Sequence, residues 1–300
     1  MKKILLSLFA ATLLLGGCNQ QATSPLDSWK AGSANDDVFM QMTSADMDLM
    51  LKNGLSYLEI DWLYTPDKSF EEKETWASGI KERAEQAGIE IWSVHLPFGG
   101  PYDISQVEDS LRQKAVELNL ADMQQSARIV APKKFIIHPS AEPISDEERP
   151  GRMEASKKSL QELAAKAKEL GIPLLVENLP RTCLGNTSTE LLSIIDGIDN
   201  AAICFDVNHL LIEEQLVFVE NVKDKIQSTH MSDYDRVDER HWLPGDGVID
   251  WNELLVALVK TGYQGPFIFE VGQKGKNGKK ETIQSLGDAW KKFKEEYKQN

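Results

Sequence analysis

The side chains able to do chemistry in this chain fall at the ends of short apolar runs. Val94 is followed by His95 and Ile137 by His138. Val176 leads into Glu177, Phe205 into Asp206, Thr229 into His230 and Phe269 into Glu270. His209 and Asp233 each follow three residues behind one of these ends, and His241 lies in the loop beyond. The chain has 5 histidines and all are in this set. A lone histidine after an apolar run is usually a hydrogen-bonded structural residue. Independent structural histidines would scatter over helices and loops, and these do not. Carboxylates packed together resist ionisation unless a cation compensates. Mixed Asp, Glu and His ligation suits Mn, Mg, Co or Zn rather than a metal selected by thiolates.

The elements that must position these groups are legible from the same runs. Tyr57–Ile60, Ile91–Val94, Phe135–Ile137, Leu174–Val176, Ile203–Phe205 and Phe267–Phe269 read as strands, with Val38–Met42 and Ile226–Thr229 as weaker members. They are continuous rather than alternating, which indicates burial on both faces and hence a parallel sheet under helices. Between them the period is helical. Leu160, Leu163, Ala164, Ala167 and Leu170 share one face, and Gly171 with Pro173 ends that helix. Eight strands, each followed by a helix, predict a single-domain α/β protein, a closed (β/α)8 TIM barrel, whose chemistry sits at the C-terminal strand ends. An open doubly wound sheet is the alternative, but no glycine-rich phosphate turn follows the first strand.

The stretches Val94-His95-Leu96-Pro97-Phe98, Ile137-His138-Pro139, Val176-Glu177-Asn178, Phe205–His209, Thr229–Asp233, Pro244–Asp250 and Phe269-Glu270 occur in barrel order. Together they resemble the xylose isomerase-like barrel superfamily, which holds sugar isomerases and epimerases and, more distantly, endonuclease IV-type nucleases. Likeness to the ketose 3-epimerases implies one divalent ion held by Glu177, Asp206, His230 and Glu270. It implies that Glu177 and Glu270 move a proton at the substrate carbon through an enediolate, and that His209 and Arg236 hold substrate oxygens. In the nuclease branch the positions of His95 and His138 bind an additional zinc with the glutamate matching Glu177. His209 and His241, with an aspartate such as Asp238, would complete a third site, so there is room for a second metal. In sugar-converting relatives His95 and His138 instead hold hydroxyls. His95, His138, His209, Arg236 and His241 are therefore the expected substrate contacts. Trp62, Phe98, Tyr234 and Trp242 are candidates for an apolar wall, and Glu59 or Asp61 for a further hydroxyl contact.

The expected substrate is a small carbohydrate, free or oxidised to a keto-sugar. The same proton chemistry can expel a β-substituent, so a lyase or hydrolase is a close variant. A phosphodiesterase and a sugar-binding lipoprotein without turnover are the other readings. Acidic residues outnumber basic ones 47 to 33 among 300, for a net charge of −14. That balance and the absence of basic loops after the early strands argue against nucleic acid as a partner. The lysines from Lys274 to Lys280 read as a solvated loop.

The N-terminus reads as an address. Met1-Lys2-Lys3 precedes an apolar run, and Leu15-Gly16-Gly17-Cys18 resembles a bacterial lipobox. Residues 1–17 are then a lipoprotein signal peptide, Cys18 is the lipidated residue, 18–36 a flexible tether and 37–300 the barrel. The expected location is the cell envelope, with the membrane reached through the lipid. Cys183 and Cys204 are expected to stay unpaired.

Overall fold

A computed structural model describes residues 24–34, 42–62 and 68–298. Eight parallel strands close into one barrel in sequential order: β1 Ala31–Ala34, β2 Leu55–Asp61, β3 Glu90–His95, β4 Lys134–Ile137, β5 Leu174–Glu177, β6 Ala201–Asp206, β7 Ile226–Met231 and β8 Phe267–Phe269. The helices are α1 Ser44–Lys52, α2 Phe70–Ala87, α3 Asp109–Ile129, α4 Arg149–Glu169, α5 Ser188–Ile195, α6 Gln215–Val222, α7 Trp251–Lys260 and α8 Ile283–Glu296. Several start where the sequence supplies a cap. Thr43 and Ser69 form capping boxes with Asp46 and Glu72, and Thr187 and Asp250 accept from the third helical amide.

The first strand differs from expectation. It is Ala31–Ala34, inside the segment read as tether, and the Val38–Met42 run is not it. Within that segment Ser24 caps a short 3-10 turn over Pro25–Asp27, and Leu26 and Trp29 are buried. The physical reason is size. All four β1 residues are small and buried, and a Cβ on Gly32 would stand 2.3 Å from the Tyr57 carbonyl oxygen. A strand of Ala, Gly and Ser shows no apolar run. Residues 1–23, with the signal and Cys18, and most of Val38–Met42 lie outside the described residues.

Side chains alternate across a strand, and that parity aims the site. Val176, Ile203 and Phe205 join the large core that contains Leu160, Leu163, Leu191, Phe218 and Leu254 from the helices. Ile136, Leu175, Ala202 and Cys204 form a separate small cluster. Glu177 and Asp206 share the parity of Leu175 and Cys204, so they face the lumen with that second set. Cys183 and Cys204 are free and buried, as expected. Among the described residues no helix is long and apolar enough to cross a membrane.

Candidate metal centre

Glu177 is the hub of the mouth. Its Oε2 lies 3.0 Å from His95 Nε2 and 3.3 Å from His138 Nε2, and its Oε1 3.0 Å from His230 Nδ1 and 3.4 Å from His209 Nδ1. One donor atom each from Glu177, Asp206, His230 and Glu270 fits within 4.8 Å of the others. His230 Nδ1 faces this group, 3.4 Å from Glu270 Oε2 and 3.9 Å from Asp206 Oδ2. Asp206 Oδ2 and Glu270 Oε2 are buried without a hydrogen-bond partner. A buried carboxylate oxygen left unpaired is costly, and a divalent cation would satisfy both at once. The donor set therefore fits a metal ion by its chemistry and by its unmet oxygens.

Two further groups meet the same criterion: His95, His138 and Glu177, and His209, Glu239 and His241. In the second, Glu239 stands where Asp238 was expected; Asp238 instead pairs with Arg181 at 3.0 Å. The two imidazoles of this group are held by their Nδ1 atoms. That of His209 is 2.8 Å from the Asn178 carbonyl oxygen, and that of His241 3.2 Å from the Glu270 carbonyl oxygen. Donation from Nδ1 leaves Nε2 as a lone-pair donor, the tautomer a ligand needs. His241 also carries a φ of 47°, a left-handed backbone that costs energy outside glycine.

Local sequence explains the alignment. The Asn178 side chain clamps β6 onto β5, donating to the Asp206 carbonyl at 2.7 Å and accepting the Asp206 amide at 2.8 Å. Asp206 Oδ1 accepts the amides of Asn208 and His209, which leaves Oδ2 for the centre. Asp233, although three residues beyond His230, turns away. It accepts the amides of Tyr234, Gly245 and Ile249 and the Trp251 indole N–H at 2.8–3.3 Å. Gly247 permits this, because a Cβ there would meet Asp233 Oδ1 at 2.1 Å. The Pro244–Asp250 motif is thus a loop folded onto one buried carboxylate. Asp233→Ala is expected to leave these donors unpaired and to cost about 3 kcal/mol or more in denaturant unfolding; a change under about 0.5 kcal/mol would show that the loop is held otherwise.

Above the centre opens a cavity of about 540 Å³, lined by His95, His138, His209, His241 and Glu270, with Phe98, Arg181 and Glu239. Phe98 stacks on His138 at 4.0 Å between ring centroids. The other expected wall aromatics are elsewhere. Trp62 is buried and donates to Asp122, the Tyr234 hydroxyl donates to the Leu210 carbonyl, and Trp242 lies under Lys276. Arg236 is a correction. Glu214 captures its guanidinium, Gln215 accepts from it at 2.6 Å, and it does not line the cavity. The guanidinium at the cavity is Arg181, which sequence reading missed. It follows Glu177 in Glu177-Asn178-Leu179-Pro180-Arg181 and pairs with Glu142, Asp238 and Glu239. The lysine loop is surface structure, with Lys276 donating to the Asp246 carbonyl and Lys279 paired with Asp246 and Glu281.

Electrostatics follow from the crowding. Burial opposes protonation of His95, but its hydrogen bond to Glu177 and the Glu177, Asp61 and Glu59 charges outweigh it and raise it to about 9. His138, buried and beside that charged ring, is driven down to about 4. Glu270 is pushed well above the usual carboxylate range by burial and by the Asp206 and Glu177 charges.

The profile of the xylose isomerase-like TIM barrel matches residues 47–292, and the chain belongs to that family. The uncharacterized protein MJ1311 of Methanocaldococcus jannaschii is 28% identical over 205 residues, 64% of this chain and 67% of that one. The inosose dehydratase of Lacticaseibacillus casei is 27% identical over 135 residues, 38% of this chain and 45% of that enzyme. The crystal structure of a D-tagatose 3-epimerase-like protein superposes with a TM-score of 0.71 at 23% identity, covering 89% of this chain and 96% of the other. At that identity the likeness is one of fold.

Proposed function

We propose that the protein is a divalent-metal-dependent isomerase or epimerase of a free sugar or keto-sugar. The observation that carries this is the convergence of Glu177, Asp206, His230 and Glu270 beneath an open cavity, with Asp206 Oδ2 and Glu270 Oε2 unpaired. The names of the similar proteins, an epimerase-like protein and an inosose dehydratase, support sugar chemistry. These four residues would hold the ion, which when bound supplies positive charge for the oxygen that turns negative as the adjacent carbon loses its proton. Glu177 and Glu270 take and return that proton. His95, His138 and Phe98 form one wall of the cavity, His209, His241 and Glu239 another, and Arg181 fixes Glu239 at the rim. The test is to incubate the pure protein with free sugars and keto-sugars in deuterated water and look for deuterium on the carbon beside the carbonyl. No exchange with any of them would remove the reading.

One observation favours a second reading. The three ligand groups are contiguous and two share Glu177, an arrangement suited to holding a phosphate ester across several ions. Metal analysis separates the two. The isomerase reading expects one tightly held ion per chain, with His209, Glu239 and His241 at most a weaker second site. Three tight ions together with cleavage of a phosphodiester such as abasic DNA would replace it.

We also propose export and lipid anchoring through Cys18, on the strength of Leu15-Gly16-Gly17-Cys18 after a basic start and an apolar run. Cys18→Ser is expected to move the protein out of the membrane fraction or leave it as an unprocessed precursor. Wild-type protein that is soluble and free of acyl groups on mass spectrometry would overturn this.

A further inference from the structure

Among the carboxylates that line the cavity, Glu59 on β2 is buried and belongs to none of the three ligand groups. It is 1% exposed at the floor of the cavity. Its Oε1 lies 2.9 Å from His230 Nε2, across the lumen from β7, at ion-pair distance but without hydrogen-bond alignment, and Nε2 has no other hydrogen-bond partner. Its Oε2 accepts the Ser93 hydroxyl at 2.5 Å, and Ser93 is itself fully buried on the neighbouring strand. The other ring nitrogen of His230 is the one that faces Glu177, Asp206 and Glu270. The two nitrogens of this imidazole therefore have separate assignments, one to the ligand group and one to Glu59.

We infer that Glu59, held by Ser93, is the positioning residue that keeps His230 in the Nε2–H tautomer with its Nδ1 lone pair aimed at the metal. A neutral imidazole carries one proton, and only the other nitrogen can ligate. With both nitrogens inside a buried site, nothing in the ring itself selects between them. Glu59 is the nearest acceptor to the otherwise unpartnered Nε2, and its charge favours the proton on that nitrogen and increases the basicity of Nδ1. A neutral acceptor would select the tautomer more weakly, and an apolar neighbour not at all. Ser93 matters because Glu59 has flexible torsions. With Oε2 tied to β3, Oε1 has one direction left, toward β7. This device joins β2 and β3 to a centre whose ligands all come from β5 to β8.

The inference rests on the metal reading of the site, and its test is metal binding to the intact protein, independent of any substrate. Metal-free protein is titrated with Co²⁺, followed by absorbance, and with Zn²⁺ by equilibrium dialysis. Glu59→Gln is expected to bind about 10- to 100-fold more weakly than wild type. Glu59→Asp is expected to recover part of that loss, and Ser93→Ala to lose a few-fold. Ser93→Ala keeps the test open should Glu59→Gln fold poorly. The spectroscopic signature is the pair of His230 ring ¹⁵N shifts in the zinc form. Wild type is expected to show Nε2 protonated, and Glu59→Gln a weaker preference for the proton on that nitrogen. Wild-type affinity and wild-type ¹⁵N shifts in a folded Glu59→Gln would overturn the inference while leaving the metal reading intact. Failure of the wild-type chain to bind any divalent ion would instead remove the metal reading, and the inference with it.

Discussion

Glu177→Gln and Glu270→Gln are each expected to lower sugar conversion by about 10²- to 10⁴-fold, the usual contribution of a positioned acid or base. Taking a proton from carbon beside a carbonyl is hard at neutral pH, and stabilising the developing charge does not remove the need for a base. An epimerisation also needs a group to return the proton on the other face. Glu177 and Glu270 end β5 and β8, three strands apart round an eight-strand ring, while both offer an oxygen to one small group. Glutamine keeps the size of each side chain and removes its proton affinity. The two variants should differ in one respect. Glu177 contacts four imidazoles, so its variant should also lose metal and stability. Glu270 has one unpaired oxygen and contacts His230 and His241 only at 3.4–3.8 Å, so its variant should stay folded. Conversion is read by NMR in deuterated water. If either variant kept its metal and near-wild-type turnover, proton transfer by two glutamates would fall.

The parts of this site that sequence revealed are those carried by apolar strands. Glu177, Asp206 and Glu270 each follow a run of Leu, Val, Ile, Cys or Phe, so the run located the strand and the strand end located the residue, while His230, behind Ile226-Gln227-Ser228-Thr229, rested on a weaker signal. β1 escaped because its packing against Tyr57 demands small residues, and small residues carry no hydrophobic signature. Arg181 and Glu239 escaped because they ride on loops, where position depends on ion pairs between Arg181, Glu142 and Asp238 rather than on any period. Arg236 misled for the same reason. Its place along the chain fits a substrate contact, but Glu214 is within reach and holds it outside the cavity. Glu59 was visible as a strand glutamate, yet its partner His230 is far along the chain and only barrel closure brings them together.

Stripping divalent ions is expected to destabilise the protein, and to do so more at high pH. In the metal-free site protons do part of a cation's work. Against the effect of burial, His95 is raised from 6.5 to about 9 by Glu177 and the nearby Asp61 and Glu59 charges, and His230 well above 6.5 by Cys204 and then by Glu59, Glu270 and Glu177. Such histidines bind protons more tightly folded than unfolded. Their stabilisation is complete below 6.5 and is lost as pH rises through the folded value. For His95 that is about 3 kcal/mol, at 1.36 kcal/mol per unit. Glu270, raised well above 4.5, adds a cost that grows with pH above 4.5 as the unfolded chain ionises first. Glu177 and Glu59 are lowered, so their contribution is already complete above 4.5 and adds no slope from pH 6 to 9. A bound cation replaces the protons on His230 and Glu270. Metal uptake should therefore release protons and tighten as pH rises. At a thousandfold excess over its dissociation constant the ion stabilises by about 4 kcal/mol. The chelator-treated protein should melt several degrees lower at pH 9 than at pH 6, and excess Mn²⁺ should reverse most of that fall. Calorimetry in two buffers of different ionisation enthalpy counts the protons released. Equal stability of the stripped protein at both pH values, or metal uptake with no proton release, would show that the carboxylates and imidazoles of the mouth are not coupled as their distances imply.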